Sequence, residues 1–97
     1  MTTDEKIRAY CKHAVEQGWK LKRCETLSRN TMECCPLGAV AICENLPGVF
    51  GHVEKFLGIT NEDTTNIIRG FDGNGLYPHV DCPYYELGQS IAEEYGA

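Results

Sequence analysis

Residues 34 to 44 read Cys-Cys-Pro-Leu-Gly-Ala-Val-Ala-Ile-Cys-Glu, the least polar run in the sequence, and 97 residues leave room for a single core to hold it. Pro36 suits the first turn of a helix, where its missing N–H removes no bond, and Leu37, Val40, Ala41 and Glu44 follow at helical spacing. Gly38, Ala39 and Ala41 give this helix narrow faces that let neighbours approach closely, and Asn45, Leu46, Pro47 and Gly48 stop it. The run therefore predicts a central helix over residues 35–44.

The remaining apolar periodicity arranges itself around that helix. Thr3 can cap a first helix whose Asp4 and Glu5 suit the positive end of the dipole, with Ile7, Tyr10, Cys11, Ala14 and Val15 on its inner face as far as Gly18. Val49, Phe50, Val53, Phe56 and Leu57 make another stripe, ended by Gly58. Thr60-Asn-Glu-Asp then reads as a variant capping box before Ile67, Ile68 and Phe71. Gly70, Gly73 and Gly75 punctuate a loop to about Cys82, after which Pro83 opens a last helix with Leu87, Gly88, Ile91, Ala92 and Tyr95 inward. Trp19, Leu21 and Arg23 alternate with Lys20 and Lys22, a strand pattern with no visible partner, so residues 19–27 read as an extended arm anchored by Leu27 and Met32. The expectation is one all-α domain, residues 1–97: a compact bundle of about five short helices around the 35–44 helix, with the arm as a short extended segment.

At 42% hydrophobic and 24% charged, the composition is that of a globular chain, not a disordered or fibrous one. The start, Met-Thr-Thr-Asp-Glu-Lys, lacks the features of a signal peptide, and no stretch has the apolar length of a membrane span, so a cytoplasmic location is expected. Six cysteines, two of them adjacent at Cys34 and Cys35, read as reduced thiols. The net charge of -5 is unevenly spread. Lys20, Lys22, Arg23 and Arg29 face only Glu25 within residues 19–30, whereas residues 31–97 set ten acids against Lys55 and Arg69. The basic stretch has two readings: attraction to the acidic remainder, or an anion contact through Lys20, Lys22 and Arg23.

No motif fixes a reaction or a ligand. Cys35 stands at the front of the central helix, where the dipole lowers a thiol pKa, and His79 and Asp81 could serve as base and orienting acid; the bland alternative is a buried capping cysteine. His79-Val80-Asp81-Cys82 has the spacing of one zinc ligand pair, but no second clean pair accompanies it, so no metal set and no cofactor is assigned. Phe71-Asp72-Gly73-Asn74-Gly75 starts like a calcium loop and then loses the pattern at Leu76, Tyr77 and Pro83. A helix pair across residues 49–69 opens its second member with Asn61, Glu62 and Asp63, which disfavours nucleic acid. Tyr77, His79, Tyr84 and Tyr85 gather aromatic groups in and beside the longest loop, where interface anchors are common, although Tyr84 and Tyr85 can equally close the bundle. The expectation is a non-enzymatic module that binds another protein through these residues, or a further copy of itself, with no membrane partner. The competing class is a small thiol enzyme or zinc-binding protein centred on Cys35, His79 and Cys82.

Overall fold

The computed structural model describes residues 2–73 and 82–97. In chain order the elements are α1 (Thr3–Glu16), β1 (Lys20–Leu21), β2 (Leu27–Ser28), β3 (Glu33–Cys34), α2 (Pro36–Cys43), α3 (His52–Leu57), α4 (Asn61–Asp72) and α5 (Pro83–Tyr95). The molecule is mostly helical, as expected, but it is not purely α. The arm pairs. β1 runs parallel to β3 and β2 antiparallel to it, giving the order β1-β3-β2. The missing partner is Glu33–Cys34, a two-residue strand that overlaps the first residue of the apolar run and ends just before the central helix. Backbone bonds from Lys20 to Met32 (2.9 Å), Lys22 to Cys34 (3.0 Å) and Cys35 to Thr26 (3.1 Å) hold the small sheet against the start of α2.

α2 is the centre. Cys35 and Glu44 are its caps, and every residue from Pro36 to Ala41 is buried. The narrow face has a definite use at Gly38: a Cβ there would overlap the Thr26 carbonyl oxygen and stand 2.9 Å from Cβ of Cys34. The loop between β1 and β2 can cross so closely only over glycine. α1 packs on α2 with Ile7, Cys11 and Ala14 inward. It begins one residue earlier than expected, with Thr2 as N-cap in a full capping box with Glu5. Val15, expected on the inner face, is 38% exposed.

α4 and α5 form the second pair, built on Ile67, Phe71, Leu87 and Ile91. Thr60 and Asp63 cap α4 reciprocally, as the sequence indicated. Gly70 belongs to the interior of α4, not to the loop. Its absent side chain leaves space for the carbonyl of Tyr85, while Gly88 on the facing helix does the same for the carbonyl of Ile67. Two glycines placed opposite one another bring the two backbones into contact. Arg8 ties α1 to α5 through Ser90 (3.0 Å) and Glu94 (3.4 Å).

α3 departs most from its pattern. Only six residues long, with no side-chain cap, it turns Val53 into the core along with Val49 just before it. Phe50 and Phe56, read as part of the buried stripe, are 54% and 46% exposed. Met32, the expected anchor of the arm, is also exposed. No helix among the described residues is long and apolar enough to cross a membrane.

Candidate functional site

Cys35 sits where the sequence places it, at the N-cap of α2, and its Sγ accepts the Gly38 N–H at 3.3 Å. Its chemistry is the reverse of a nucleophile's. Burial pushes the thiol up to about 11, outweighing the lowering effect of the amides of Gly38 and Leu37, and nearby Asp72 raises it further. A dipole lowers a thiol pKa where water can still reach the sulfur; here desolvation wins. Cys34 is pushed up to about 12 by burial and by its thiol neighbours, and Cys11 and Cys43 are also raised, burial leading in each case. His79, Asp81 and Tyr77 lie outside the described residues. Cys82 is the half-buried N-cap residue of α5 and makes no side-chain cap bond. Among the described residues no three histidine, cysteine or acidic side chains gather where they could hold a metal ion.

The basic residues of the arm are turned largely to the protein itself. Lys22 pairs with Glu33 at 3.5 Å across the parallel strands. Arg23 lies over the C-terminal end of α4, with Nη1 2.9 Å from where a Cβ on Gly73 would stand, and there its charge meets the negative end of the helix dipole. Beside it the Cys24 N–H donates to Asp72 at 2.9 Å, with Cys24 held at a φ of 64°. Lys20 is exposed. Lys20 and Lys22 both act on the Glu33 carboxylate, whereas Arg23 lies over α4.

Of the aromatic cluster, Tyr85 is 7% exposed, packed where α5 meets α4. Tyr84 is half-buried against the core. Among the described residues, aromatic side chains line cavities on the flank formed by α1, α3 and the end of α2. Lys6, Tyr10, His13 and Gln17 recur at spacings of four, three and four, which places them in one stripe along α1, beside its buried face. At one end of the stripe Tyr10 meets Phe56 edge to face, with ring centroids 6.3 Å apart. Lys6, Ala9, Tyr10 and Phe56 line an open cavity of about 340 Å³ there. Tyr10 also donates its hydroxyl to Glu44 at 2.6 Å, and burial, followed by that carboxylate, pushes the phenol up to about 12. At the other end, a second cavity of about 340 Å³ is lined by His13, Ala14, Gln17, Trp19, Ile42 and Cys43. Cys43 in the wall of this cavity donates its thiol to the Tyr10 carbonyl at 3.6 Å.

The two cavities lie in succession along one flank of α1, here called the groove. Its floor is α1, and its walls come from three other places in the chain. Only the α1 stripe is visible as a pattern in the sequence; the arrival of Phe56 and Trp19 beside it depends on how α3 and the turn after α1 fold back. The side chains of Lys6, His13, Gln17 and Trp19 hold no hydrogen bond or ion pair among the described residues. The two cavities thus offer apolar rings beside polar side chains that can both donate and accept.

No protein-family model matches the sequence, and no curated protein or solved structure matches the chain.

Proposed function

We propose that this chain is a non-enzymatic interaction module that binds another protein through the groove along α1. The observation that carries this reading is Phe56, half-exposed at the cavity on that flank, with Phe50 exposed on the segment leading into the same helix. Fully burying a phenylalanine side chain is worth about 1.5–3 kcal/mol, and in a domain this small that is a large share of the stability. Phe50 and Phe56 forgo much of it, although α3 already turns Val49 and Val53 inward. Rings kept at a surface beside a preformed cavity are the usual anchors of an interface. The buried, raised thiols argue against the thiol-enzyme alternative at Cys35.

The test is photo-crosslinking from a benzophenone amino acid placed at position 56, with position 93 on the outer face of α5 as control, in an extract of the source cells. A discrete adduct is expected at position 56 alone. Excess unlabelled protein should compete for it, and excess F50S/F56S protein should not. Equal adducts at both positions, or none at 56, would remove the reading.

A further inference from the structure

We draw no further inference here: the strongest candidate, the pair of cavities along α1 lined by Tyr10, Phe56 and Trp19, belongs to the site already described, and nothing in the structure shows what covers it.

Discussion

The contact between α4 and α5 makes a quantitative test of the fold. A methyl group at Gly70 would overlap the Tyr85 carbonyl oxygen and stand 2.9 Å from its carbonyl carbon; at Gly88 it would overlap the Ile67 carbonyl oxygen and stand 2.7 Å from the Phe71 nitrogen. Both obstacles are backbone, so no rotamer change relieves them. The helices must part by about 1 Å, which loosens the packing of Ile67, Phe71, Leu87 and Ile91 along the whole seam. Overpacking of this kind costs about 3 kcal/mol at the upper end of its usual range. Replacing glycine by alanine in a helix interior returns about 1 kcal/mol of propensity. Gly70→Ala or Gly88→Ala alone should therefore destabilise by about 2 kcal/mol, or ~8–16 °C in Tm for a domain of this size. The double variant is the sharper measurement. One separation of the helices relieves both clashes, while the propensity gain is counted twice, so the double should fall within about 1 kcal/mol of either single. Urea titration followed by circular dichroism, with all four proteins compared at equal m, reads the cycle. Fully additive losses, or an alanine that stabilises, would refute the close approach of these backbones.

Three further outcomes follow from the thiols and the loop on α4. Under native conditions Cys24, exposed, should be alkylated first, with Cys11, Cys34 and Cys35 protected until denaturant is added; peptide mass spectrometry that finds Cys35 labelled as fast as Cys24 would restore the nucleophile reading. A thiol carries charge only when deprotonated, and Cys34 and Cys35 rise from 9.0 to about 12 and about 11 on folding. The unfolded chain thus releases these protons first, so stability should hold below about pH 9 and fall above it by up to ~1.4 kcal/mol per pH unit per thiol, ending near each folded value; a flat profile in urea melts under reducing conditions through that window would contradict the burial. Cys24→Gly should be neutral or slightly stabilising because the backbone there has φ 64°, whereas Cys24→Val should lose about 1 kcal/mol or more in the same melts.

Local signals in the sequence carried the helices well. Thr60 with Asp63, Pro36 and Pro83 are cap or first-turn residues whose effect is confined to a few neighbours, and the structure uses them as read. What the sequence could not display is whatever needs a distant partner. The pairing of Lys20–Leu21 with Glu33–Cys34 joins segments separated by an intervening strand, and β3 is only two residues long, too short to show an alternating pattern. The pKa of Cys35 turned on the same distinction: its position at a helix start is local and legible, but its desolvation comes from the rest of the fold. Phe50 and Phe56 shared a stripe with Val49 and Val53 on spacing alone, and a helix of six residues at the edge of the core had room to bury only the valines. The candidate groove was half legible. Lys6, Tyr10, His13 and Gln17 repeat along one flank of α1, whereas Trp19 and Phe56 reach that flank only after folding.

The distribution of cations bears on the proposal that a partner uses the groove and not the more basic arm. Residues 19–30 hold the densest positive charge in the sequence, yet Lys22 is paired with Glu33 and Arg23 lies on the carbonyl end of α4. An anion drawn to Lys22 or Arg23 would have to displace those contacts, and each displacement would weaken the junction that holds the arm against α2 and α4. Lys6 carries no such obligation, and neither do the N–H groups of His13, Gln17 and Trp19. Exchanging water for a partner's polar group there disturbs no internal bond, so the binding free energy is not drawn from the stability of the fold. Neutralising Lys22 and Arg23 should consequently lower the melting temperature with little effect on the crosslinked adduct at position 56, while Lys6→Gln should do the opposite, and an adduct that followed the arm charges would place the interface on the arm instead.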